Sequence, residues 1–126
     1  MMLPILLVGL GGFVGAILRY LVSGVVQTHF HDFPAGTFVV NFIGSFVLSV
    51  LMYGSEYKGF LSEESRIFLT IGLLGSFTTL SSFNYETFKL LEQNQVGLML
   101  INIFCNVILG LGAVYMGRAV IMRWNS

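Results

Sequence analysis

Four apolar runs, over residues 3–25, 36–53, 67–91 and from Val96 to just before Arg118, constrain this chain more than anything else in it. Each is close to the roughly 20 residues an α-helix needs to cross the hydrocarbon core of a bilayer. Only 10% of the residues are charged, against roughly 25% in a soluble domain, so a water-facing surface of this size cannot be covered. Lipid is the expected solvent, and helices are the expected form, because backbone groups in hydrocarbon must bond within their own segment. The reading is an all-α integral membrane protein with four transmembrane helices, one domain over residues 1–126. Met1 to Leu18 lacks a basic leader and is followed by Arg19, so the first run reads as a structural helix rather than a cleaved signal. Short connections leave no room for a soluble catalytic domain, and no enzyme is expected.

The formal net charge is zero, which points to neither nucleic acid nor an acidic surface as partner. The one cysteine, Cys105, lies inside the fourth run and reads as a small buried side chain. Between the first two runs, the segment from Gln27 to Pro34 carries His29, His31 and Asp32. A closed metal site needs about four ligands, so this segment reads as a hydrated loop. Charged residues from Glu56 to Arg66 close the second run, and Trp124 follows the fourth as an interfacial anchor.

With four spans, the termini and the middle loop share one side, which collects Lys58, Arg66, Arg118 and Arg123; Arg19 and Lys89 lie toward the other. The bias that normally sets orientation is therefore weak. It permits insertion both ways round, and so permits an antiparallel dimer.

The polar residues inside the runs are patterned. Thr37, Asn41, Ser45 and Ser49 follow one another at intervals of four in the second run, as do Asn102, Asn106 and Gly110 in the fourth. Residues four apart share a helix face, and an amide in hydrocarbon is costly without partners. These faces therefore meet protein or water, either as interhelical hydrogen bonding or as a polar pathway. In the third run, Gly75-Ser-Phe-Thr-Thr-Leu-Ser-Ser-Phe83 places a glycine and many hydroxyls near mid-membrane. Such a stretch suits a helix broken there, whose freed carbonyls can hold a cation and whose freed N–H groups can face an anion. The alternative is a continuous helix with back-bonded Ser and Thr. Arg19, Glu86 and Lys89 are the ionisable groups expected in or near the membrane, each within reach of a helix end. There long side chains can snorkel to the interface, Arg19 can gather anions at a pore mouth, and Glu86 can pair with Arg19 or Lys89.

Gly11 and Gly15 form a close-approach pair for helix backbones. Together with Arg19, the motif Gly11-Gly12-x-x-Gly15 joins two others, Pro34-x-Gly36-Thr37-x-x-Val40-Asn41 and Gly72-x-x-Gly75-x-x-Thr78-Thr79-x-Ser81-Ser82-Phe83. Taken in order, these motifs resemble the Fluc (CrcB) family of fluoride channels, nearly end to end. The resemblance implies an antiparallel homodimer with two pores in the cell membrane, and a structural Na⁺ on the two-fold axis held by the carbonyls of Gly75 and Thr78. It implies pore roles for Asn41, as an amide donor to a passing anion, and for Phe83, whose positive ring edge can face fluoride. Thr37, Thr79, Ser81, Ser82, Asn102 and Asn106 would extend the polar track, with Arg19 at a mouth and Glu86 near an end. The family pattern has a second phenylalanine three residues before Phe83, and this chain has Leu80 there. The implied activity is passive export of F⁻. The competing expectation is a small four-helix proton-coupled multidrug exporter, but such a protein needs a membrane-embedded acid, and the first run has none.

Overall fold

The structure, a computed structural model, describes residues 1–124. Four helices are long and apolar enough to cross a membrane: Met2–Gln27, Ala35–Lys58, Glu63–Glu92 and Val96–Arg123. No β-strand occurs among the described residues. Helices α1 (Met2–Gln27) and α2 (Ala35–Lys58) are regular throughout. The charged stretch after Tyr53 does not end α2, which continues through Glu56 to Lys58 and stops at Gly59. Gly59 takes a left-handed conformation (φ 65°, ψ 26°) that caps the helix end without Cβ strain.

The third span begins with α3 (Glu63–Arg66), where the Ser62 hydroxyl accepts the Ser65 N–H at 3.1 Å. Glu63 and Glu64 in that first turn complement the helix dipole. The helix then widens to π geometry over Ile67–Leu74, returns to one α-turn, α4 (Gly75–Phe77), and resumes as α5 (Leu80–Glu92). Thr78 (φ −90°, ψ 161°) and Thr79 (φ −152°, ψ 122°) between them are extended. A turn with Asn94 at φ 60°, a conformation asparagine tolerates better than most residues, leads into the fourth span. That span comprises α6 (Val96–Phe104), a π-helical turn over Cys105–Leu109, and α7 (Gly110–Arg123).

Small residues set the packing. A Cβ on Gly11 would strike the Phe68 carbonyl, and one on Gly15 the Leu73 carbonyl, so α1 lies directly against the backbone of the third span. Gly117 plays the same part between the fourth span and α2, where an added Cβ would sit 2.7 Å from the Ser49 Cβ. The core is small, with Val40, Leu74 and Phe77 at its centre. Large apolar side chains such as Phe13, Tyr20, Leu111 and Tyr115 are exposed, as expected of a chain whose outer surface meets lipid or a second copy of itself.

Candidate functional site

Accounting for backbone hydrogen bonds locates the site. In an unbroken helix the Gly75 carbonyl would accept from Thr79 N–H, and the Thr78 carbonyl from Ser82 N–H. Here the Thr79 N–H donates instead to Asn41 Oδ1 at 2.8 Å, and the Ser82 N–H to Thr79 Oγ1 at 3.2 Å. The second contact is an N-cap, in which a β-branched residue favouring extended backbone starts α5 with its own hydroxyl. Thr78 N–H and Thr78 Oγ1 both donate to the Leu74 carbonyl, closing the turn before the interruption.

Asn41, on α2, holds the extended residue by both of its backbone groups. Its Oδ1 accepts the Thr79 N–H while its Nδ2 donates to the Thr79 carbonyl at 3.1 Å. The side-chain amide thus does what a neighbouring strand would do for Thr79. The second Nδ2 hydrogen goes to Asn106 Oδ1 at 3.0 Å, tying α2 to the fourth span at the same level. Both hydrogens of that nitrogen are then committed.

Around this junction lies a groove of about 310 Å³, lined by Asn41, Gly44, Ser45, Leu48, Thr70, Leu74, Gly75, Thr78, Thr79, Leu80, Phe83, Asn106 and Val107. The second-span amide, both threonines of the interruption, Phe83 and Asn106 therefore meet in one place. Leu80 stands at the groove with 70% of its surface exposed. Gly44 is required here, since a Cβ on it would overlap the Thr78 side chain. The first turn of α5 opens at the same junction, so its N-terminal dipole end is directed there.

Other residues singled out by sequence are placed differently. Arg19 lies part-way along the protein seam rather than at a helix end: its Nε donates to the Ser76 carbonyl at 2.9 Å, one residue before Phe77. Ser76 Oγ in turn bonds the Gly12 carbonyl at 3.0 Å, joining α1 to α4. Glu86 pairs with neither Arg19 nor Lys89. Its carboxylate meets the Thr37 hydroxyl, leaving Oε1 without a protein partner, while Lys89 pairs with Glu92 at 3.7 Å. A second hollow of about 340 Å³ brings Glu86 beside Gln27, His31, Asp32 and Lys89 at one end of the molecule. His31 and Asp32 touch each other at 3.2 Å, and no cluster of three or more metal-binding side chains occurs among the described residues. Ser49 faces the fourth span, donating to the Val114 carbonyl at 2.6 Å. Ser81 is exposed and lies 3.3 Å from Thr79 Oγ1. Asn102 is completely buried and is tied to Asn106 and to Thr87. Sequence reasoning passed over Thr87; its place four residues after Phe83, on the same face of α5, was the available signal.

The Gly75 and Thr78 carbonyls are groups that could hold a hard cation. Both have lost their usual helical donors, and oxygen is the donor such ions prefer. Gly75 is exposed and Thr78 partly so.

A family model described as CrcB-like protein, Camphor Resistance (CrcB), matches residues 6–118. The chain is similar to the fluoride-specific ion channel FluC 1 of Methanosarcina acetivorans, with 56% identity over 117 residues, 93% of this chain and 89% of that one. It is 53% identical over 125 residues to the fluoride-specific ion channel FluC 3 of Methanosarcina barkeri, covering 99% and 95% of the two chains. Against the fluoride-specific ion channel FluC of Methanocaldococcus jannaschii the identity is 44% over 120 residues, 95% of each. Four membrane-crossing helices, a side-chain clamp on an interrupted span and a match over most of its length together establish that this chain belongs to the CrcB family.

Proposed function

We propose that the protein is a fluoride-selective channel of the cell membrane, working as an antiparallel homodimer that lets F⁻ leave the cytoplasm passively. The observation that carries this reading is the Asn41 clamp, which holds an interrupted span at the head of a groove containing Phe83 and Asn106. Its likeness to fluoride-specific ion channels 44–56% identical to the chain supports it.

In this reading the interruption lies at mid-membrane, and its two sides serve opposite charges. The N-terminal end of α5 and the Asn41 amide face the anion. The Gly75 and Thr78 carbonyls of both copies would hold a structural Na⁺ on the two-fold axis, a resident charge that fixes the dimer and favours anions nearby. Because both Asn41 Nδ2 hydrogens are committed, a fluoride at Asn41 displaces either the Thr79 carbonyl or Asn106 Oδ1. Phe83 offers its ring edge, and Leu80 keeps the passage dry without one. The hydroxyls of Thr79, Ser81 and Ser82 continue the track beside Asn106, with Asn102 behind it, and Thr37 with Glu86 lies near one end. Arg19, on the Ser76 carbonyl, places a positive charge close to the path. A narrow passage of few donors replaces the hydration shell of a small anion and disfavours a larger one.

The driving force requires no covalent chemistry. Hydrogen fluoride enters cells uncharged and dissociates in a near-neutral cytoplasm, and the membrane potential then expels F⁻ at about 2.3 kcal/mol per 100 mV. Fluoride resistance follows. The test is ion efflux from liposomes carrying the purified protein, read with a fluoride electrode and with chloride-loaded vesicles as control. Fast loss of F⁻ but not Cl⁻, abolished by Asn41→Asp or Phe83→Ile, is the expected result. Folded dimers that release no fluoride, or that instead drive a cationic dye out against protons, would overturn the reading.

A further inference from the structure

Asn102 is fully buried in a single chain and contributes no surface to the groove, yet it is a polar amide two turns into a membrane-crossing helix. Its hydrogen bonds run in one direction. Thr79 N–H donates to Asn41 Oδ1, Asn41 Nδ2 to Asn106 Oδ1, and Asn106 Nδ2 to Asn102 Oδ1 at 3.1 Å. Asn102 Nδ2 then donates to Thr87 Oγ1 at 3.0 Å, and Thr87 Oγ1 to the Phe83 carbonyl at 2.6 Å. The relay starts and ends on backbone groups of the third span, passing through α2 and the fourth span on the way.

We propose that Asn102 is a positioning residue for the ion path, setting which way the Asn106 and Asn41 amides face. An amide flipped by half a turn exchanges its donor for its acceptor. With the Asn102 oxygen toward Asn106, the Asn106 oxygen is left toward Asn41, and Asn41 can spend one Nδ2 hydrogen there and the other on Thr79. The Asn102 backbone carbonyl also accepts from Asn106 Nδ2, at 3.0 Å, so loss of the side-chain oxygen leaves one anchor in place of two. Asn106 then turns its nitrogen toward Asn41 more readily, and in that orientation two donors oppose each other beside Phe83. Aligned hydrogen bonds in a low-dielectric setting also strengthen one another. Asn106 sits in the π-helical turn Cys105–Leu109, and single π-turns recur at functional sites. The competing role is simple adhesion of the fourth span to α5 through the Asn102–Thr87 bond.

The proposal rests on the fluoride-channel reading, and the experiment separates the two. Full-length protein is reconstituted in liposomes, and both fluoride efflux rate and the fluoride-to-chloride permeability ratio are measured. Asn102→Leu is expected to slow fluoride about tenfold and lower the ratio. The double variant Asn102→Leu with Thr87→Val, which removes both partners of the adhesive bond, is expected to keep the unsubstituted melting temperature within a few degrees and to stay slow. At the far end of the relay, nearly isosteric Thr87→Val is expected to lower the ratio while Thr87→Ser, which keeps the hydroxyl, leaves it unchanged; this pair decides the matter if Asn102→Leu fails to fold. Recovery of normal rate and ratio in the double variant, or equal behaviour of Thr87→Val and Thr87→Ser, overturns the positioning role and leaves the channel reading standing. No fluoride conduction by the unsubstituted protein overturns both.

Discussion

Asn41 and Ser49 lie eight residues apart on one face of α2, and their surroundings differ completely. Ser49 is 4% exposed and donates to the Val114 carbonyl, with Gly117 so close that an added Cβ would also come within 2.8 Å of the Phe46 carbonyl. Asn41 faces an interrupted backbone and a groove of about 310 Å³. A polar stripe at helical spacing therefore marks a face that meets protein, and the residue opposite decides the rest. Glycine opposite Ser49 lets two helices close on each other, so that polarity acts as adhesion. Extended backbone opposite Asn41 leaves groups to be held and space beside them, so that polarity can serve an ion.

The comparison breaks most sharply at Asn41. Asn41→Leu removes the partners of the Thr79 N–H, the Thr79 carbonyl and Asn106 Oδ1, each orphaned group costing about 1–3 kcal/mol. Fluoride efflux is expected to fall about a hundredfold or more, since each 1.4 kcal/mol is about tenfold. If transport survives Asn41→Leu, the two ends of the stripe are not different in kind. At the closed end, Gly117→Val forces α2 and α7 apart. Overpacking of this sort costs about 1–3 kcal/mol, to be read as a lower yield of folded dimer and a lower melting temperature, with the fluoride-to-chloride ratio of the folded fraction unchanged. Ser49→Ala should be milder, losing one hydrogen bond worth about 1 kcal/mol and lowering the melting temperature by a few degrees with no change in transport. The smallest effect is expected from Leu80→Phe, which places a ring edge at the groove. A gain of about 0.5–1 kcal/mol would raise fluoride flux a few-fold and leave melting unaltered, as measured by efflux and thermal denaturation on one preparation.

Much of the architecture was legible because lipid leaves few options. The first and last helices start within a residue of the apolar runs, and the Gly11 and Gly15 pair sits on the Phe68 and Leu73 carbonyls as close approach requires. The ends beside the charged loop were less legible: α2 extends over Glu56 and Lys58, and α3 starts before the third apolar run, since a helix is free to continue once its side chains reach water. The two π-helical segments left no mark in composition, because they are a shift in backbone hydrogen-bond register that many sequences tolerate. Arg19 illustrates a different limit. Spacing places its Cα, but its long side chain spans several ångströms, and only the position of the Ser76 carbonyl shows where the guanidinium ends. For the same reason the stripe of α2 could be seen as polar without revealing that Asn41 holds Thr79 while Ser49 holds Val114.

A channel of the proposed kind passes fluoride and holds back chloride. The most direct measurement is the reversal potential of the reconstituted protein in a planar bilayer, with fluoride and chloride gradients set in opposite directions. A fluoride-selective pore sets the potential at the fluoride equilibrium value, unchanged when the chloride gradient is altered. A potential that follows chloride, or one at zero with measurable current, would contradict it.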